Sequence, residues 1–235
     1  YGTIAKQKMP SVETAVTLAG WCSGYDNTAF LNEMFSVNDE KKVVDIWIIS
    51  VKMISPSTIP LIQARQSKGE EIWLYESMNG LATITHYLVA GKEGIANRLW
   101  PWFTWKLGGT GMLYYYVNDL CSNRWKYTSD VCPNAQIYQG SGAYFYPSCK
   151  TNNEAARCDS ADNTQIVPTI RWELLREGME DAEYFKLLNS KGSAGQSVLN
   201  QAMNLLGSRY YEFDSNAVSY YSARNAIAQK IEELS

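Results

Sequence analysis

Two runs of residues decide most of what this chain can fold into. Val43–Ser50 (VVDIWIIS) is apolar almost without interruption, and Glu71–Met78 (EIWLYESM) reads as the next buried strand. A strand with one wet face alternates apolar and polar residues. A strand that is apolar nearly throughout is buried on both faces, as in a parallel sheet. Between the two runs, Ser57–Lys68 reads as a helix. Ser57 or Thr58 can cap it, Pro60 suits its first turn and Gly69 stops it. Strand, helix, strand at this spacing implies a right-handed crossover and a parallel sheet.

The same reading extends along the chain. Ser11–Leu18 (SVETAVTL) and Gly111–Leu120 (GMLYYYVNDL) are expected to be two further strands. Phe30–Phe35 reads as a short amphipathic turn or helix, and Gly94–Lys106 as a helix interrupted by Pro101. Four parallel strands with helices make either an open sheet or half of an eight-stranded barrel. A half barrel leaves strand edges exposed unless it meets a second half. Residues 121–167 lose periodicity, and a stretch of that length inside a compact domain is commonly functional. Thr169–Leu188 is a strongly periodic helix, with Ile170, Leu174, Leu175, Met179, Ala182, Phe185 and Leu188 on its apolar stripe. Two more helices are expected over Ala194–Leu206 and Ser215–Leu234. The organisation predicted is a barrel-like unit over 1–190 and C-terminal helices packing on it over 191–235.

Composition narrows the function. The net charge is −3 and only 19% of residues are charged, so no basic surplus exists to neutralise phosphates and no nucleic-acid partner is expected. No apolar run approaches the ~20 residues that cross a bilayer. Residues 1–20 lack the apolar core of a signal peptide. A first residue Tyr1 is the mark expected of a processed product or a fragment. The aromatic set leans to 16 Tyr and 8 Trp against 6 Phe. Tyr and Trp join a flat apolar face to a hydrogen-bonding edge, which suits either sugar stacking or a Tyr-rich core.

Four of the five cysteines, Cys121, Cys132, Cys149 and Cys158, fall in the polar, aperiodic stretch. No C-x-x-C pair occurs and the single His86 lies far from them, so neither zinc nor any other metal or cofactor is expected. Loop disulfides, Cys121–Cys132 and Cys149–Cys158, in a secreted or otherwise oxidising setting fit better. Cys22 is then a free buried thiol or the partner of a segment outside the chain.

At this point the residues resemble a known family. Arg98, Trp102, Trp105-Lys106, Gly111-Met-Leu-Tyr-Tyr115 and Asn118 are similar to a run in the C-terminal barrel domain of glycoside hydrolase family 123 and of the uncharacterised domain family 4091. Tyr146-Pro147 and the helix signature Arg171, Glu173, Arg176, Gly178, Asp181, Glu183, Tyr184 continue the likeness. Upstream, Val44-Asp-Ile-Trp47 and Gly69-Glu-Glu-Ile-Trp73-Leu-Tyr75 fit the two preceding strands. The resemblance spans roughly residues 10–190. It implies the C-terminal half, about strands five to eight, of a (β/α)8 barrel. The implied activity is substrate-assisted, retaining hydrolysis of terminal N-acetylhexosamine, of the N-acetylgalactosamine type. In that family an adjacent Asp orients the acetamide and a Glu protonates the leaving oxygen. The pair follows an earlier strand, so it is expected upstream of Tyr1. Asp39-Glu40, Glu70-Glu71 and Glu180-Asp181 stand in the wrong places to replace it. A missing or separate N-terminal half of the barrel is therefore an expected partner, with a glycan as substrate.

The expected contributions of this chain are to substrate binding. Active sites of such barrels sit at the C-terminal strand ends. Glu76 and Asp119 end two strands there. Each either hydrogen-bonds sugar hydroxyls or serves locally, capping a helix or pairing with Arg98 or Lys106. Glu76 also stands where many barrel glycosidases carry a nucleophile. Trp73, Tyr75 and Tyr115 are candidate sugar walls or core fillers, with the Tyr75 hydroxyl a candidate partner for the acetamide carbonyl. Asp45 reads as a mid-strand carboxylate in need of a partner, beside Trp47. Asn118 can bind hydroxyls or cap, and Tyr146 can close over the site. Arg171, Glu173 and Arg176 are expected to form a helical ion-pair network. A glycan-binding or structural extracellular protein without catalysis is the alternative to an enzyme.

Overall fold

A computed structural model of the chain describes residues 2–19, 26–76, 94–114, 117, 144–146, 167–209 and 212–235. The elements in order are α1 (Gly2–Lys8), β1 (Ala15–Leu18), α2 (Asn27–Lys41), β2 (Ile46–Ser50), a 3-10 turn (Val51–Met53), α3 (Ile59–Gln66) and β3 (Glu71–Glu76). There follow α4 (Ile95–Lys106), β4 (Gly111–Tyr114), β5 (Phe145–Tyr146), β6 (Val167–Pro168), α5 (Ile170–Asn189), α6 (Ser193–Met203) and α7 (Ala217–Glu233). The chain is an α/β protein.

Strands β1 to β4 form one parallel sheet in the order β1-β2-β3-β4. Each neighbour in space is the next strand in sequence, the order that an arc of a (β/α) barrel has. Alternation along the strands sends Leu18, Trp47, Ile49, Ile72 and Leu74 to one face. They share a core there with Leu31 and Phe35 of α2, Ile62 of α3 and Leu99, Trp102 and Phe103 of α4. Ile46, Ile48 and Tyr75 point to the other face and pack with Trp73 and Leu113. Each large apolar side chain removed from water contributes roughly 1.5–3 kcal/mol, so the helix-covered face dominates the energetics.

The local signals work where they are strongest. All five residues of β2 are buried, as a run without alternation requires. Helix α3 carries Pro60 in its first turn, and Gly69 beyond its end takes a φ of 83° that other residues resist. Thr169 caps α5, its hydroxyl accepting from the Trp172 amide at 3.3 Å.

Elsewhere the structure departs from expectation. Helix α2 is much longer than Phe30–Phe35, because Asp26 caps it by accepting from the Thr28 and Ala29 amides. Helix α4 runs unbroken through Pro101. The Asn97 carbonyl loses its intrahelical partner, but nine consecutive residues, Ala96 to Thr104, are buried, and that packing outweighs the break. Strand β1 begins at Ala15 rather than Ser11, and β2 at Ile46 rather than Val43. Asp45 therefore precedes its strand and is not mid-strand. Helix α1 had no counterpart in the sequence reading.

Among the described residues, helices α4 and α5 make the most extensive pairing between helices. A Cβ on Gly178 would run into the backbone carbonyl of Arg98, so only glycine admits this approach. Helices α6 and α7 pack on α5 and on each other. Among the described residues no helix is long and apolar enough to cross a membrane.

Candidate functional site at the C-terminal strand ends

The C-terminal edge of the sheet gathers ionisable groups from three successive strands. Strand β2 ends at Ser50, whose hydroxyl accepts from the Lys52 amide at 3.4 Å and helps start the 3-10 turn. That turn carries Lys52 past the end of β2. Strand β3 ends at Glu76, only 3% exposed, and Glu76 stands in register with Tyr114 of β4. Tyr144 joins them from beyond β4. Its amide donates to the Val117 carbonyl at 2.8 Å, and its own carbonyl accepts from the Thr169 amide at 2.9 Å. Its hydroxyl donates to Asn97 Oδ1 at 3.2 Å. The Tyr144 ring meets Tyr114 edge-on at 5.2 Å, and the Arg171 guanidinium lies 5.9 Å from its centre.

Electrostatics mark this cluster off. Burial pulls the Lys52 ammonium below the ordinary lysine value, and the Glu76 charge opposes that fall. Burial pushes the Tyr144 hydroxyl well above the ordinary tyrosine value; Tyr114 and Glu76 add to this, and Arg171 works against it. Shifted groups at strand ends of an α/β sheet are what a functional site looks like physically.

The structure separates the other residues singled out from sequence. Trp73 and Tyr75 lie on the sheet face opposite to Trp47. The Trp73 indole covers Gly111, where a Cβ would come within 2.5 Å of the ring, and its N–H donates to Glu71 Oε2 at 3.1 Å. Trp73 is thus held toward the N-terminal end of β3. Tyr75 is 4% exposed among Ile46, Ile48 and Leu113. Trp47 is 1% exposed, donates to Glu70 Oε2 at 2.5 Å and packs edge-on against Phe35 at 4.9 Å. Asp45 sits at the opposite, N-terminal end of the sheet. Burial alone would raise its carboxyl, yet Lys6 at 2.5 Å and the Thr14 amide at 2.6 Å hold it below the usual range. Tyr146 lies on β5, paired with Val167. Tyr115, Asn118, Asp119, His86, Cys22 and the four cysteines Cys121, Cys132, Cys149 and Cys158 lie outside the described residues.

Local pairing of Glu76 with Arg98 or Lys106 is not what forms. Arg98 gives its guanidinium to Asp181, through Nε at 2.7 Å and Nη2 at 2.9 Å. Trp102 Nε1 donates to the same carboxylate at 2.8 Å. Lys106 instead donates to the carbonyls of Met203 and Leu206. The signature Arg98, Trp102, Gly178, Asp181 is thus a helix clamp. The expected network on α5 exists around Arg176, which pairs with Glu173 at 2.9 Å, Glu177 at 3.3 Å and also Glu180. Arg171 turns instead to Tyr144.

The acidic pairs are structural as well. Glu70 and Asp39 both bind Arg65, at 2.5 and 2.8 Å, toward the N-terminal end of the sheet. Glu71 accepts from Thr110 Oγ1 at 2.6 Å. Among the described residues no His, Cys, Asp or Glu cluster suits a metal ion.

Sequence reasoning missed Lys52, Asn97 and Tyr144. Lys52 had a signal, being the first charged residue after the apolar strand. Asn97 and Tyr144 had none, since only the fold brings them together. No protein-family model matches the chain, and no curated protein matches it.

Proposed function

We propose that this chain is the sugar-binding part of a glycoside-hydrolase-like (β/α) barrel, corresponding to the barrel's C-terminal half. The substrate class is a glycan ending in N-acetylhexosamine, of the N-acetylgalactosamine type. The carrying observation is Glu76, a buried carboxyl at the C-terminal end of a parallel strand, whose charge is felt by Lys52 and by Tyr144. A sugar presents hydroxyls and an amide on a partly apolar ring. Glu76 accepts from hydroxyls, Lys52 donates to them, and the rings of Tyr114 and Tyr144 supply apolar contact.

Hydrolysis by this reading is substrate-assisted and retaining. The sugar's acetamide oxygen attacks the anomeric carbon as the leaving oxygen takes a proton. The acid and the acetamide-orienting Asp come from outside these residues, in the N-terminal half of the barrel. Disulfides among the four loop cysteines and a secreted location belong to the same proposal.

A second reading has its own observation. Asp39, Glu70, Glu71 and Asp181 are each committed to structural partners, so none of these four is the second catalytic carboxylate. That favours glycan binding without cleavage. Release of a chromogenic group from an N-acetylgalactosaminide by the intact protein separates the two. Turnover supports the hydrolase; saturable sugar binding without turnover supports the binding protein.

A further inference from the structure

Lys52 is the least accounted-for charge at the strand ends. Lys6, Lys191 and Lys230 are also partly buried, and each holds a hydrogen-bonded partner: Asp45, Ser235 and Glu233. Among the described residues the Lys52 ammonium has no hydrogen-bond or ion-pair partner of this kind. It is half-buried, it follows the end of a wholly buried strand, and the carboxyl of Glu76 ends the adjoining strand. A lysine removed from water without a direct counter-ion favours its neutral form. Neutral lysine amines are nucleophiles, and such desolvated lysines form imines with carbonyl compounds.

We propose that Lys52 is an imine-forming amine that takes a small aldehyde or ketone at the C-terminal strand ends. The Nζ lone pair attacks the carbonyl carbon, and the carbonyl oxygen becomes a hydroxyl as the nitrogen gives up a proton. The resulting carbinolamine loses that hydroxyl as water, and the carbon–nitrogen double bond forms. Overall, one amine and one carbonyl yield one imine and one water, with no oxidant or reductant. The Glu76 carboxyl is the group on the adjoining strand that can pass the proton to the departing oxygen. The direction of the Lys52 shift agrees with a neutral amine.

This inference stands apart from the glycosidase reading, since it concerns carbonyl carbon rather than an anomeric ether. The test is reductive trapping. The protein is incubated with glyceraldehyde and sodium cyanoborohydride near neutral pH, and adducts are mapped by peptide mass spectrometry. Lys52 is expected to be labelled severalfold faster than the exposed Lys8 and Lys42, because an amine withdrawn from water is neutral in a larger fraction of molecules. The K52R and K52M variants, checked by circular dichroism, should lose this adduct and keep the others. Labelling of Lys52 no faster than that of Lys8 and Lys42 in the wild type overturns the proposal, whatever the variants do.

Discussion

Asp181 holds Arg98 through two parallel hydrogen bonds, of 2.7 and 2.9 Å, between side chains 1% and 2% exposed. Burial works against the Arg98 charge, yet Asp181 raises its pKa above the usual arginine value. Such a pair is weak evidence for net stability, but breaking it leaves a charge sealed from water. Replacing Asp181 by Ala should therefore cost about 3–5 kcal/mol. Urea denaturation measures this, and a loss under ~1 kcal/mol would refute the clamp.

Close contact between helices gives a second expectation. Gly178 lies against the Arg98 backbone, and an added methyl has nowhere to go without parting α4 from α5. Gly178→Ala should destabilise by about 1–3 kcal/mol, the range for overpacked sites, although alanine is the better helix former. Thermal denaturation reads the sign directly.

Acid should loosen the N-terminal end of the sheet. Hydrogen bonds from Arg65 and Lys68 lower the Asp39 pKa from 3.8 to about 2. A depressed carboxylate contributes stability that is fully present above its unfolded pKa. That contribution is lost as pH falls through the folded value. The wild type should thus lose its advantage over D39N between pH 3.8 and about 2. Denaturation curves across that window check it, and a constant difference would count against the Arg65–Asp39 pair.

How much of this was legible in the sequence follows from the range of the interactions. The runs VVDIWIIS and EIWLYE announced buried strands, because burial on both faces leaves a mark in consecutive residues. The stop at Gly69 is local too, whereas the cap Asp26, which sets the extent of α2, is a feature only the structure brings out. Helix α4 was misread at Pro101, since tertiary packing decided it. The clamp of Arg98 with Asp181 joins positions 83 apart, and no spacing rule pairs them. Glu76 is legible as a strand end, whereas the hydrogen bond of Tyr144 to Asn97 is visible only in the folded chain.

Charge coupling at the strand ends gives a fourth expectation. Burial lowers the Lys52 pKa and Glu76 raises it. In the Glu76→Gln variant the opposing influence is gone, so the Lys52 titration should move further down. NMR of the lysine side-chain methylenes follows it, and an unmoved titration would show that the two groups do not sense each other.

Sugar binding is the central claim, and titration with N-acetylgalactosamine tests it most directly. The tryptophan indole signals of the intact protein would be followed by NMR, alongside those of the Glu76→Gln variant. The account predicts saturable shifts in the wild type that weaken about tenfold or more in Glu76→Gln, the loss of roughly one charged hydrogen bond. The Trp102 signal, locked on Asp181, should stay in place throughout. Absence of any saturable shift with N-acetylgalactosamine or other N-acetylhexosamines would contradict it.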